Sequence, residues 1–339
     1  METPNKIPAS EWKGVVAAYQ GADVKRSLWQ LGSTVSLLII GLVLMNWGLT
    51  HARWLTALLA LPTAGMIVRT FIIMHDCSHG SFLPWPKVND TVGFVTGILA
   101  LTPFHQWRRD HALHHASSGD LDRRGYGDIA TLTVKEYLAR PWFGRFRYRL
   151  FRSPFVILGL GPLQMMVLQR IKLGTGLNTG SRQIINVWMT NVAIAALLTL
   201  FIIAAGPKSV LLVYLPAYYI AAMMGVWLFY VQHQFEEAYW EEHQNWDYAT
   251  AAITGSSYLR LHPVLQYFSG NIGLHHVHHL GPRIPNYRLQ RAHEENEIFE
   301  KAPVIGMWDG IKALRLTLWD EANRRMVRFK DVRKMRRAA

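Results

Sequence analysis

Three short stretches concentrate histidine: His75-x-x-x-His79, His111-x-x-His114-His115 and His275-x-x-His278-His279. Helical residues three or four apart share a face, with Cβ atoms about 5–6 Å apart. Two imidazoles at that spacing can converge on one ion, because metal–nitrogen bonds are roughly 2 Å long. Consecutive helical residues point about 100° apart. His114 and His115 therefore face different directions, as do His278 and His279, and both members of each pair are most easily used by two metals. Eight imidazoles also exceed the roughly six positions of an octahedral ion. His233, where an apolar run ends in Tyr230-Val231-Gln232-His233-Gln234, is a ninth candidate ligand. His276 lies inside the third cluster, three residues before His279, and is ambiguous. His51, His105, His243, His262 and His293 read as ordinary surface or core histidines.

Nitrogen ligation suits zinc, copper, iron and nickel. The single cysteine, Cys77, excludes a multi-thiolate site and an internal disulfide, and is consistent with a reducing compartment. Nine imidazoles are too many for one structural zinc, which closes with four ligands. Two redox-active irons with open positions for dioxygen fit better, although spacing alone does not select iron.

Hydrophobic residues make up 50% of the 339-residue chain and charged residues only 17%. Soluble domains carry about 25% charged residues, so the deficit points to lipid as a solvent. A spanning helix needs about 20 mostly apolar residues. Four stretches qualify: Trp29–Trp47, Trp54–Met74, Val187–Ala205 and Val210–Val231. Arg69 interrupts the second near its end, where it either snorkels or faces protein. Val92–Phe104 is short and carries Gly93, Gly97 and Pro103, so a re-entrant or buried hairpin is expected. Phe155–Val167, with Gly159, Gly161 and Pro162, is expected at the membrane interface, and residues 174–180 as a loop. Near the N-terminus, Ser10 is placed to cap a helix reaching Tyr19. Its Trp12, Val15, Val16 and Tyr19 suit either a membrane surface or ordinary packing.

The net charge of +13 fits anionic headgroups better than nucleic acid because of where the charges fall. Basic residues are dense from Arg108 to Arg152 and from Arg283 to Arg337, whereas the two short opposite loops offer only Arg53 and Lys208. The positive-inside rule places both termini and the central loop in the cytoplasm. With four spans, every histidine cluster comes out on that side. A full crossing by Val92–Phe104 would strand the second cluster. The tail from Arg324 to Arg337, interspersed with Met326, Val327 and Phe329, reads as membrane-surface binding.

His75-Asp76-Cys77-Ser78-His79-Gly80-Ser81-Phe82, Trp107-Arg108-Arg109-Asp110-His111-Ala112-Leu113-His114-His115 and Gly270-Asn271-Ile272-Gly273-Leu274-His275-His276-Val277-His278-His279 resemble the three histidine boxes of integral-membrane fatty acid desaturases. The likeness is greatest to bacterial acyl-lipid desaturases, supported by Phe229–Glu236 and Asn286-Tyr287, and runs from about residue 30 to 300. It implies an all-α integral membrane fold, one domain across 1–339. Four transmembrane helices would lie beneath a cytoplasmic helical cap holding a di-iron site, and the tail 283–339 would be basic and cytoplasmic. The implied ligands are His75, His79, His111, His114, His115, His233, His275, His278 and His279. In the acyl-CoA branch an asparagine one turn before the extra ligand supports a metal-bound water. Phe229 stands there in this chain, and Asn271 is the candidate substitute. Asp76, Asp110, Glu236 and Glu237 are the nearest candidates to orient ligating imidazoles.

The resemblance also implies the reaction. Two irons and dioxygen take hydrogen from adjacent methylenes of a lipid-linked acyl chain, leaving a double bond and water, at the bacterial inner membrane. Trp188, Met223, Met224 and Trp227 could line an acyl tunnel, although lipid-facing or packing roles compete. With no Cys cluster and no Gly-x-Gly-x-x-Gly, electrons must come from a ferredoxin or small cytochrome. A basic face including Arg123, Arg124, Arg145 and Arg147 could dock an acidic carrier. A related hydroxylase or carotenoid ketolase would share the same ligands. A metal transporter is disfavoured because the spans hold almost no ionisable residue beyond Arg69.

Overall fold

The computed structural model describes residues 6–125, 129–171 and 180–338, with backbone alone at 171 and 334–338. The loop expected at 174–180 therefore lies outside the described residues except for Gly180. Among the described residues the chain is helical with very little sheet. The first helices are α1 (Ala9–Tyr19), α2 (Val24–His51), α3 (Arg53–His79), α4 (Pro86–Leu99) and α5 (Phe104–Ser117). Then come α6 (Val134–Ala139), α7 (Trp142–Phe151), α8 (Val156–Leu168), α9 (Ser181–Ala205) and α10 (Pro207–His233). Six shorter helices complete the chain: α11 (Tyr248–Thr254), α12 (Pro263–Ser269), α13 (His275–Leu280), α14 (Leu289–Glu294), α15 (Met307–Ala313) and α16 (Phe329–Ala338). Five tiny strands tie the cap together. Strands β1 (Leu132–Thr133), β4 (Leu318–Asp320) and β5 (Arg325–Val327) form one sheet in the order β1-β4-β5, and β2 (Tyr258–Leu259) pairs with β3 (Val304–Ile305).

Helices α2, α3, α9 and α10 are long and apolar enough to cross a membrane, and each contains one expected span. The protein is thus an all-α membrane protein. Single residues, Ala52 and Gly206, join the members of each pair, so neighbours must run antiparallel. Over half of the apolar window of α3 is buried, against 17–22% for α9 and α2. That difference makes α3 the central helix, and α2 and α9 present their apolar faces to lipid. Trp188 on α9 is 58% exposed, which assigns it to the lipid face and removes it from any tunnel. Arg69 faces protein: its guanidinium donates to the Tyr267 carbonyl and lies 4.1 Å from that ring's centre.

The α4–α5 pair is a hairpin and does not cross. Its turn is closed by Thr102 N–H to the Gly97 carbonyl, 2.7 Å, with buried Leu101 at a left-handed φ of 55°. Tyr218 of α10 donates to the Leu99 carbonyl, 2.7 Å, so the turn abuts a spanning helix. From there α5 climbs about 15 Å between Phe104 and His114 at the helical rise, carrying its histidines to the end of the bundle. Helices α7 and α8 bend by 57° at residues between them.

Helix α1 packs against the cap. Val16 is buried with Ile284, Leu280 and Val277, while Trp12 and Tyr19 border the same cluster. Trp12 lies 5.8 Å from Tyr248, and Tyr19 donates to Glu295, 2.6 Å. Of the two sequence readings of this amphipathic helix, the packing face is realised. The tail likewise turns its apolar residues inward. Met326 and Val327 are buried, and Phe329 packs with Tyr137 and Tyr148.

Candidate metal centre

Four elements deliver the histidines to one place. His75 and His79 occupy the last turn of α3, which runs on past its apolar stretch. Gly80 ends it with φ 67°, its amide bonding back to the Asp76 and Cys77 carbonyls. His111, His114 and His115 lie on α5, and His233 is the last residue of α10. His275, His278 and His279 lie on the short α13, entered through the left-handed pair Gly270 and Asn271 at φ 54° and 58°. A side chain on Gly270 would meet Ile72 Cγ2 at 2.8 Å, so glycine lets this turn press against α3.

The nine imidazoles form two groups. His75, His79, His111, His115 and His278 make one; His114, His233, His275 and His279 make the other. Within each group the ligand atoms lie within 4.8 Å of one another. The adjacent histidines part company: His114 and His115 fall in different groups, as do His278 and His279. Stacking of His115 on His279, 4.2 Å between ring centres, joins the two sets.

In the first group Nε2 of His278 is 3.0 Å from Nε2 of both His75 and His115, and His115 Nε2 is 3.0 Å from His111 Nε2. In the second group His233 Nε2 lies 3.1 Å from His114 Nε2 and 2.9 Å from His275 Nε2, and His275 Nε2 is 3.1 Å from His279 Nε2. His79 Nε2 is buried without a partner. Each neutral imidazole has one N–H and one lone pair, so alternating tautomers can pair neighbouring ring nitrogens, but only a cation engages all of their lone pairs at once. Burial first, and neighbouring imidazoles second, hold His111, His115, His278 and His279 well below the ordinary histidine pKa. His275 is held down in the same way. These rings are neutral at pH 7, the form that ligates metal.

His276 points elsewhere. Its Nε2 is 3.1 Å from His293 Nδ1, and its ring packs near Phe299. Burial, then His293, pushes its pKa down to about 3. Asn271 donates to the Asn286 carbonyl, 3.4 Å, fifteen residues further along the chain. Phe229 packs its ring 5.2 Å from His114 and 5.4 Å from His233.

Of the four carboxylates weighed as orienting partners, Asp76 meets a ligand. Its Oδ1 accepts from His75 Nδ1, 3.2 Å, which leaves His75 Nε2 for metal. Asp76 Oδ2 accepts from the Asn286 backbone and side chain, 2.7 and 2.8 Å, and Asn286 in turn bonds Gln30 of α2. Asp110 instead takes two bonds from Gln106 Nε2. Glu236 and Glu237 lie exposed at the surface, between the buried Phe235 and Ala238. Trp107, which the spacing analysis did not single out, stacks on His111 at 4.2 Å. Arg124 is held by Glu136 at 2.6 and 2.8 Å, and Arg123 lies 3.0 Å from His243. Arg124 is thereby paired, whereas Arg123 is 54% exposed and stays on the expected docking face with Arg145 and Arg147.

Asp76→Asn is expected to lower divalent-metal affinity of the five-histidine group 10- to 100-fold, the usual effect of losing a carboxylate behind a ligating histidine, or roughly 1.4–2.7 kcal/mol. Titration against a competing chelator measures it. Unchanged affinity would show that the carboxylate does not orient His75.

Residues 52–308 match the model of the fatty acid desaturase family. A fatty acid desaturase of Bacillus subtilis (strain 168) is 42% identical over 94% of this chain and 90% of its own length. The chloroplastic sn-2 acyl-lipid omega-3 desaturase (ferredoxin) of Arabidopsis thaliana is 27% identical over 78% of this chain and 58% of its own. The acyl-lipid omega-3 desaturase (cytochrome b5) of the endoplasmic reticulum, from the same plant, is 28% identical over 66% and 58%.

Proposed function

The chain belongs to the fatty acid desaturase family and is a membrane oxidoreductase, and on that premise we propose that it desaturates a lipid-linked acyl chain using two irons and dioxygen. His75, His79, His111, His115 and His278 hold one iron, and His114, His233, His275 and His279 hold the other. The observation that carries this reading is the convergence of nine imidazoles, in two adjoining groups, at the end of membrane helices.

The nearest nitrogen spacings fit right-angled ligation better than tetrahedral ligation. Bonds of about 2.1 Å at right angles set nitrogens about 3.0 Å apart, whereas tetrahedral angles set them about 3.4 Å apart. The contacts of 2.9–3.1 Å match the former. Five and four imidazoles each fall short of an octahedral set of about six, so each site keeps room for oxygen. When bound, the two metals supply oxidative removal of hydrogen from an unactivated methylene, which no side chain achieves alone.

The protein's own residues prepare the site. Asp76 fixes the His75 tautomer, and burial keeps the ligating rings outside the membrane spans unprotonated. Trp107 and Phe229 lay apolar rings against ligands of the two groups and limit water. A cavity of about 10 Å³ at His233, bordered by Phe229, Tyr239 and Trp240, has room for about one water.

Electrons come from a separate ferredoxin or small cytochrome, as in the names of the two plant relatives. The histidine end of the bundle and both termini face the cytoplasm at a bacterial inner membrane, a reading that rests on the distribution of positive charge. Expression in a host lacking unsaturated lipids, followed by mass spectrometry of its acyl chains, tests the activity. A new double bond at one position is the expected result. A new oxygen on the chain would make the protein a hydroxylase, and unchanged lipids with a loaded metal site would sink the proposal.

A further inference from the structure

A groove of about 290 Å³ opens on the cap where α6, α7 and α16 meet. Its walls carry Arg145 and Arg149 of α7, Arg333 of α16, and the rings of Trp142, Phe146 and Phe329, with no carboxylate among them. We propose that this groove binds an anionic phospholipid of the surrounding membrane. The phosphate sits among the three arginines, and the upper acyl chain lies along Trp142 and Phe146.

The acids nearest in sequence are already paired. Glu136 is held by Arg124, and Asp331 by Arg328 at 2.9 Å. Arg145 and Arg333 have no ion-pair partner among the described residues. Arg149 is fixed at the wall by its bond to the Tyr137 hydroxyl, 2.6 Å, with its guanidinium 5.3 Å from the Phe329 ring centre. Trp142 and Phe146 stack at 6.0 Å with their planes 12° apart, yet are 72% and 50% exposed.

The apolar side of α7 favours lipid over an acidic protein as occupant. Trp142, Phe146, Leu150 and Phe155 form an exposed strip that leads from the groove into α8. Helix α8 is seated on the spanning helix α10, with the Tyr219 hydroxyl donating to the Gly159 carbonyl, 2.7 Å. Arg152, at the end of α7, bonds Tyr230 near the histidine end of the same helix, 3.0 Å. The strip therefore lies at the bundle's edge, where interfacial aromatic residues meet headgroups, and the arginines stand where phosphates are found.

Each basic side chain near an anionic membrane surface favours binding about fivefold at modest salt. Native mass spectrometry of the full-length protein in detergent, with phosphatidylglycerol or phosphatidylcholine of matched chains added, reads the preference. The wild type is expected to retain phosphatidylglycerol selectively, and Arg145→Gln with Arg333→Gln to reduce that selectivity about 25-fold. If the double variant does not fold, each single variant is expected to show about a fivefold reduction. Equal retention of both lipids by the wild type would overturn the proposal, as would selectivity that survives both substitutions. An acidic protein bound at these arginines without lipid preference would overturn it too, in favour of a protein-docking face.

Discussion

His278→Ala is expected to abolish desaturation, to below about one-thousandth of the wild-type rate, while His276→Ala retains it within a few-fold. A metal centre lowers the barrier by several kcal/mol, and 4 kcal/mol is about a thousandfold. His278 Nε2 stands 3.0 Å from both His75 and His115 Nε2 and so links the first and second histidine clusters. Removing it opens a gap that neither His75 nor His115 can span. His276 is two residues earlier in the same run, but its nitrogen meets His293 on the other side of α13. Its loss leaves both metal groups whole and affects only packing near Phe299. Metal content per chain and product yield, measured together, separate the two cases. The His278 variant should fall from two metals towards one, and the His276 variant should keep both. Full product from the first, or metal loss from the second without unfolding, would be incompatible with the assignment.

Arg152→Ala is expected to be the most damaging substitution outside the histidines, costing about 3–5 kcal/mol of stability, because several buried acceptors lose a donor at about 1–3 kcal/mol each. Arg152 is 1% exposed and has no carboxylate partner. Its two terminal nitrogens donate to the carbonyls of Ala130 and Leu316, and to Thr131, Tyr148, Tyr230 and Gln234, at 2.8–3.4 Å. Truncation strips the guanidinium from all six oxygens at once, and of these the Leu316 carbonyl and the Tyr148 hydroxyl keep other donors, Tyr230 and the Leu132 amide. Tyr230 and Gln234 flank His233, so the four-histidine group should bind metal more weakly as well. Arg152→Lys is expected to recover less than half of the loss, because an ammonium cannot reproduce the planar fork. Thermal unfolding in detergent, with and without added metal, tests both. An alanine variant that unfolds within two or so degrees of the wild type would show that the network carries little energy.

Much of this was legible in one dimension because the relevant physics is local. An apolar run of about 20 residues answers to bilayer thickness wherever it occurs, and the four expected stretches all fall within spanning helices. Histidines three and four apart share a helical face regardless of what lies opposite. The same reasoning separates His114 from His115 and His278 from His279. The shortness of Val92–Phe104, with its Gly and Pro, was enough to mark a hairpin.

What escaped that reading depends on residues far apart in the chain. Asp76 became the partner of His75 because Asn286, 210 positions away, turns both of its donors onto the other carboxylate oxygen. Glu236 and Glu237, three and four residues beyond His233, were carried to the surface. The face of α1 looked suited to lipid until Val16 found protein cover, and in the tail Met326 and Val327 turned inward while Arg333 stayed outside. Residue spacing and hydropathy thus settled the membrane helices and pointed to the histidines that meet, since both follow from helix geometry and solvent transfer within a single segment. The tertiary structure alone decided which histidine of the third cluster turns away, which carboxylate orients a ligand and how Arg152 is buried, because burial and hydrogen-bond partners exist only after distant segments have packed.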